Sequence, residues 1–222
     1  MRELRPTRLA GLFLFEFTVV LLGVLAAQAV ADWAEDRRLL HEAEMQYTQA
    51  RDQAIELARV HAYWAKVAPC LADRARGIAR LAADGGTLSA ADIGRPALPT
   101  VRMPAWDPDV RRVAYARYGK QKMDAIAGLE VAVMVTIDTS IRIREGWSKF
   151  ALLDPKNGTP SDADRANVRL AAIGVIDYVR VLGSNTPSDE MEILGVPRAE
   201  WETVDLKAQG LDDCGLILNW QR

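Results

Sequence analysis

Apolar residues form an almost unbroken run near the start of the chain. From Ala10 to Trp33 this run contains one charged residue, Glu16, before Asp32 is reached. A helix of about 20 apolar residues spans the hydrocarbon core of a bilayer. The pattern therefore predicts a transmembrane helix over residues 10–33.

A cleaved signal peptide is the alternative explanation of this run. Three arginines precede it, and Ala27-Gln28-Ala29 has the small-x-small form of a cleavage site. However, the run is longer than the roughly 7–15 residues of a signal core, and Glu16 interrupts it. Trp33 also stands where an interfacial aromatic residue is expected. We favour a retained anchor, and cleavage at Ala27-Gln28-Ala29 stays an open alternative.

A second apolar pattern, with spacings of three and four residues, follows the anchor without a break. Such spacing predicts a helix with one buried stripe; this first helix of the chain is called α1 and its buried stripe the α1 seam. We expect one long helix that leaves the membrane, bends near Pro69 and ends at Asp84-Gly85-Gly86. Because many seam positions are alanine, close packing in a helical bundle is favoured. The seam consists of Leu40, Ala43, Tyr47, Ala50, Ala54, Leu57, His61, Trp64, Ala68, Leu71, Ala75, Ile78 and Ala82.

Glycine and proline recur over residues 84–107, which predicts a loop. Beyond the loop, helices are expected over 108–118, 120–153, 161–182, 188–194 and 197–207. Ser161 and Asp164 form a variant of the capping box that opens a helix. Residues 131–143 are rich in β-branched side chains, so a strand is the alternative there. The predicted buried face of the helix over 120–153 is Ile126, Glu130, Val133, Ile137, Ile141, Arg144, Trp147 and Ala151, and that of the helix over 161–182 is Val168, Ala171, Ala172, Val175, Val179 and Leu182.

These elements predict an all-α chain in which a transmembrane helix continues into a long helix and a helical bundle. Residues 1–9 carry three arginines, whereas acidic residues outweigh basic ones just after the span. The positive-inside rule then places residues 1–9 in the cytoplasm and residues 34–222 outside it. We expect a bacterial inner-membrane protein whose bundle lies in the periplasm.

One face of the predicted membrane helix combines an acid with small residues. Glu16, Val20, Gly23, Ala27 and Ala31 follow one another at helical spacing. Small residues four apart let a second helix approach closely. A carboxyl group facing lipid is costly, so we expect Glu16 to meet another helix, stay protonated or reach the interface.

The same stretch resembles a known group of sequences. A Glu, an apolar run with Leu-Gly-Val, and then Trp-x-Glu-x-Arg are typical of uncharacterised bacterial single-pass membrane proteins. Here these positions are Glu16, Leu22-Gly23-Val24 and Trp33 to Arg37, and the resemblance covers about 25 residues of the chain. Asp32 replaces the Asn that usually precedes the Trp. The resemblance implies a retained anchor and supplies no catalytic residues.

The chain contains two cysteines, Cys70 and Cys214. An even count in an oxidising compartment suggests a disulfide, which would tie the long helix to the C-terminal tail. Two buried free thiols are the alternative if the orientation is reversed. The disulfide is therefore a prediction that depends on the periplasmic location.

Motifs for metal binding, cofactor binding and nucleophilic catalysis are missing from the sequence. His41 and His61 lie about 30 Å apart on one predicted helix, too far to share a metal. We interpret His61, which lies in the α1 seam, as a hydrogen-bonded core residue. No Cys-x-x-Cys, Gly-x-Ser-x-Gly or phosphate loop occurs. We therefore predict that the protein is not an enzyme and has no cofactor.

The balance of charge argues against nucleic-acid binding. The net charge is −2 and the isoelectric point is about 5.8, so no basic face is indicated. We predict association in the membrane, with itself or as an accessory subunit of a complex. The alternative is a sensory or ligand-binding bundle that signals through a partner membrane protein. Its pocket candidates are Tyr63, Trp64, Trp106, Tyr115, Tyr118, Trp147 and Tyr178.

Overall fold

The computed structural model describes residues 6–94, 96–184 and 187–202, with side chains from Phe13 onward. Over these residues the chain is all-helical, without a strand. The elements are α1 (Pro6–Ala83), α2 (Ala90–Ile93), α3 (Pro108–Tyr118), α4 (Lys120–Ser148), α5 (Asp162–Ser184) and α6 (Ser188–Ile193), with 3-10 segments at Lys149–Leu153, Pro155–Asn157 and Arg198–Glu200.

The long predicted helix is confirmed as α1, which runs through Pro69 and ends at Ala83, directly before Asp84-Gly85-Gly86. Gly85 has a φ of 79°, in the left-handed region that glycine adopts without strain. The amide of Gly86 donates to the carbonyl of Leu81 at 2.9 Å, which closes the helix end as in a Schellman motif. The bend expected at Pro69 stays a prediction.

The chain divides into two compact units, of which the first joins residues 1–47 with Trp106–Arg117. In this unit α3 begins at Pro108, and Oδ1 of Asp107 caps it by accepting hydrogen bonds from the amides of Asp109 and Val110.

The predicted α1 seam is wrong at its first position. Leu40 is 46% exposed, whereas Leu39 is buried. The buried stripe therefore begins at Leu39, four residues before Ala43, and not at Leu40, three residues before it.

The second unit comprises residues 48–105 and 118–222. Here α1, α4 and α5 share one hydrophobic core, to which Trp64, Phe150 and Val175 belong. Two glycines let the helices approach closely. A Cβ atom on Gly146 of α4 would lie 2.7 Å from Cγ2 of Val175, and one on Gly183 of α5 would lie 2.8 Å from Cβ of Ala68.

Helix α5 agrees with its prediction in both position and buried face. It extends two residues beyond the expected end, and the six residues predicted to be buried are the ones that are buried. The capping box is confirmed as well. The amide of Asp164 donates to Oγ of Ser161, and the amide of Ser161 donates back to Oδ2 of Asp164 at 2.9 Å.

Helix α4 departs from its predicted face, although the strand alternative over 131–143 is wrong. Ile141 is 46% exposed and Arg144 is also exposed, whereas Thr136, Ser140 and Ile143 are buried. Apolar β-branched residues occur all around this helix, so their spacing does not identify the inner side. The core accepts the hydroxyl of Thr136 because it donates to the carbonyl of Ala132 at 2.8 Å.

The helices predicted after residue 184 are confirmed in part. Helix α6 ends one residue before its predicted end, and Arg198–Glu200 forms a 3-10 segment where a helix over 197–207 was expected. The part of that prediction beyond residue 202 lies outside the described residues.

The predicted loop over 84–107 contains the short helix α2, which Ser89 caps.

Asp154 connects the loop that follows α1 with the turn that follows α4. Its buried carboxylate accepts hydrogen bonds from the amides of Ala90 and Lys156, both at 2.9 Å. Hydrogen bonds to the charged form lower the pKa of Asp154 below its ordinary value, with that from Lys156 the largest cause. The carboxylate therefore stabilises the folded state in its charged form.

We predict that Asp154→Ala lowers stability at neutral pH and that this loss shrinks in acid. Because the folded pKa is lowered, the contribution is complete above the unfolded pKa of about 4 and disappears as pH falls through the folded value. Urea unfolding of the full chain in detergent micelles, followed by circular dichroism, measures both effects. Asp84→Ala, at an exposed turn position, is the control. An equal loss at neutral and acidic pH would contradict the assignment.

Candidate functional site

The apolar part of α1 is exposed along its whole described length. An 18-residue window of this helix has a mean hydropathy of 2.1 and no residue buried within the protein. Phe13, Phe15 and Leu22 expose 60% or more of their surface. By length and composition, this is the one helix among the described residues that can cross a membrane.

The predicted association residues lie on this helix, and each of them is exposed. Glu16, Val20, Gly23, Ala27 and Ala31 belong to α1. A Cβ atom placed on Gly23 would meet no atom within 4 Å. No described residue therefore covers the stripe at this glycine.

Charged side chains appear directly after the apolar span. The guanidinium of Arg37 lies 5.4 Å from the ring centroid of Trp33, which is itself 62% exposed. Arg38 bonds Glu35 and Glu42 at 2.6 and 2.7 Å. The hydrogen bond from Arg38 lowers the pKa of Glu35, so this ladder is charged at neutral pH. A tryptophan at the end of a long apolar segment is typical of a membrane–water interface.

His61 is confirmed as a hydrogen-bonded core residue. It is 1% exposed, and its Nε2 lies 3.2 Å from Oγ1 of Thr136. Because the hydroxyl hydrogen of Thr136 goes to the carbonyl of Ala132, the oxygen accepts from Nε2–H. No group of three metal-binding side chains occurs among the described residues.

The second unit contains a cavity of about 590 Å³ between the end of α4 and the loop around α2. The indole N–H of Trp147 donates to the carbonyl of Gly94 at 3.1 Å and fixes one edge of it. The described residues that line the cavity are Ala90, Ile93, Gly94, Pro96, Ala97, Leu98, Arg144, Trp147, Ser148 and Ala151.

Sequence reasoning found only part of this cavity. Trp147 is the one aromatic pocket candidate that lines it. Trp64 is fully buried in the core instead, while the buried Tyr63 hydroxyl reaches the carbonyl of Ala97 at 3.5 Å. Burial raises the pKa of Tyr63 to about 12. Arg144 was missed because the predicted face placed it inside α4, whereas it stands at the cavity edge.

The predicted disulfide falls partly outside the described chain. Cys70 is half-buried on α1 and packs against the core of the second unit. Cys214 lies beyond residue 202, outside the described residues. The pairing of these cysteines therefore stays a prediction.

No protein-family model, curated protein or solved structure matches this chain. The features of the chain that bear on its function are therefore the exposed face of α1, the buried pair of His61 and Thr136, and the cavity.

We predict that Thr136→Val destabilises the protein by about 1–3 kcal/mol, because a buried ring nitrogen loses its hydrogen-bonding oxygen. Urea unfolding of the full chain measures the change. The control is Thr139→Val, which makes the same replacement at another buried position of α4. Equal losses for the two variants would show that the hydrogen bond to His61 adds nothing to the free energy of unfolding.

Proposed function

We propose that this protein is a single-pass membrane protein that acts by association rather than by catalysis. The observation that carries the proposal is the exposed apolar segment of α1, which holds an acid and three small residues along one stripe. The partner is either a second copy of the chain or another membrane protein. In the second case the chain is an accessory subunit of a larger complex.

The energetics of the stripe support a helix as the partner. A charged carboxylate near the bilayer centre costs a few kcal/mol, and a polar group on a neighbouring helix reduces that cost. Gly23, Ala27 and Ala31 lack the bulk that keeps two helix backbones apart. Glu16 and these residues therefore favour the same contact, one by polarity and the others by shape.

Charge supports one orientation in the membrane. Arginines precede the span, and Asp32, Glu35 and Asp36 follow it. By the positive-inside rule, the N-terminus lies in the cytoplasm of a bacterium and the remaining helices lie in the periplasm. In that compartment the predicted Cys70–Cys214 bridge would be stable.

We predict that Gly23→Leu weakens the assembly, because the larger side chain separates the helices. Blue-native electrophoresis in mild detergent should show a complex for the wild type and a shift toward monomer for the variant. Ala29→Leu is the matched control, since residue 29 lies on the opposite side of the helix and its variant should keep the complex.

The outcomes separate the two kinds of partner. A monomer for the wild type and for Gly23→Leu alike would overturn the proposal, as would an equal effect of Ala29→Leu. If the complex survives, mass spectrometry of the purified band identifies its members. This chain alone indicates a homo-oligomer, whereas a second membrane protein in fixed ratio indicates an accessory subunit.

We also predict that the mature protein keeps its anchor. Intact mass spectrometry of the protein extracted from membranes should give the full 24.5 kDa. The control is the same measurement on the soluble fraction, where little protein is expected. A mass that lacks residues 1–29, found in the soluble fraction, would show a cleaved signal peptide and contradict the anchor.

A further inference from the structure

We infer that the cavity beside Trp147 binds a small monocarboxylate with an apolar body. This inference concerns the second unit alone and does not depend on the proposed association. The volume of the cavity, about 590 Å³, falls within the range of about 300–1,000 Å³ that is usual for small-molecule sites.

Three hydrogen bonds between described residues hold the loop wall of the cavity to α4 and to the segment after α4. Trp147 Nε1 donates to the carbonyl of Gly94 at 3.1 Å, and the amide of Leu88 donates to the carbonyl of Leu153 at 3.1 Å. The amide of Ala90 donates to Asp154, as described above. A site fixed in this way loses little conformational freedom when a ligand enters, which favours binding.

The described walls are mainly apolar, and one of their described side chains is charged. Ile93, Leu98 and Ala151 contribute hydrocarbon surface, and none of the lining residues that the structure describes is acidic. The charged residue is Arg144, for which the described part of the chain provides no ion pair or hydrogen bond. Two residues earlier, Arg142 pairs with Asp138 at 2.7 Å. The guanidinium of Arg144 is therefore available to an outside anion.

The remaining polar groups define the charge of that anion. The indole N–H of Trp147 donates to the carbonyl of Gly94, and the hydroxyl of Ser148 donates to the carbonyl of Glu145 at 2.7 Å. Of the lining side chains within the described ranges, Arg144 is the one with donors left for a ligand. A guanidinium forms two parallel hydrogen bonds with one carboxylate. A dianion would have no partner for its second charge among the described lining residues, which is unfavourable beside apolar walls.

Isothermal titration tests the inference on the full chain in phosphatidylcholine nanodiscs, with empty nanodiscs as the blank. The probe is 4-phenylbutanoate, and 4-phenylbutan-1-ol has the same hydrocarbon without the charge. We expect saturable binding of the acid and binding of the alcohol that is weaker by about tenfold or more, since a charge-assisted hydrogen bond is lost.

Two variants and a control separate the charge from the cavity. Arg144→Gln should weaken binding of the acid by about tenfold and leave binding of the alcohol unchanged. Ala151→Phe fills the cavity and should abolish binding of both probes, with folding checked by circular dichroism. Arg169→Gln removes an exposed arginine of α5 that does not line the cavity and should bind like the wild type.

Several results would overturn the inference. They are the absence of saturable binding to the folded wild type, equal affinity for acid and alcohol, and unchanged affinity of Arg144→Gln. Tighter binding of phenyl phosphate than of 4-phenylbutanoate would overturn the monocarboxylate class. None of these results bears on assembly through α1, so this inference and the proposed function fail separately.

Discussion

The continuous backbone hydrogen bonding of α1 is the constraint on which the rest of the fold depends. An apolar segment in lipid must satisfy its amides and carbonyls internally, and a helix does this without partners. From residue 48 the same helix supplies one side of a hydrophobic core, with Trp64, Leu71 and Ile78 buried. One regular element therefore provides an exposed apolar face near the N-terminus and a packed face farther along the chain.

Sequence pattern predicted the elements well wherever apolar and polar positions differ clearly. The six buried residues of helix α5 were predicted because they recur at helical spacing along one stripe, although Leu170, Ile173 and Val181 outside the stripe are also apolar. Those of helix α4 were predicted only in part, because Val131, Met134, Val135 and Ile141 are large apolar residues that remain 40–61% exposed. Its inner side is instead marked by Thr136 and Ser140, which are buried hydroxyls that a hydrophobicity pattern assigns to solvent.

The candidate sites differ in how far the sequence determines them. The stripe from Glu16 to Ala31 depends on spacing within a single helix, which sequence fixes directly. The cavity depends on how the loop around α2 lies against the end of α4. Tertiary hydrogen bonds such as that of Trp147 with Gly94 decide this arrangement, and no local pattern predicts them. Arg144 was consequently assigned to the core rather than to the cavity edge.

The buried pair of His61 and Thr136 has a consequence for how the helices find their register. The α1 seam repeats alanine at seven-residue intervals, at Ala43 and Ala50 and again at Ala68, Ala75 and Ala82, so a slip of two helical turns would superimpose alanine on alanine at these positions. His61 is the one seam position with an imidazole, and such a slip would place it away from Thr136. A single polar residue in an otherwise apolar seam is a known way to select one alignment over its neighbours. The pair therefore favours the observed alignment of α1 with α4 over one shifted by two turns, a preference that the repeated alanines do not provide.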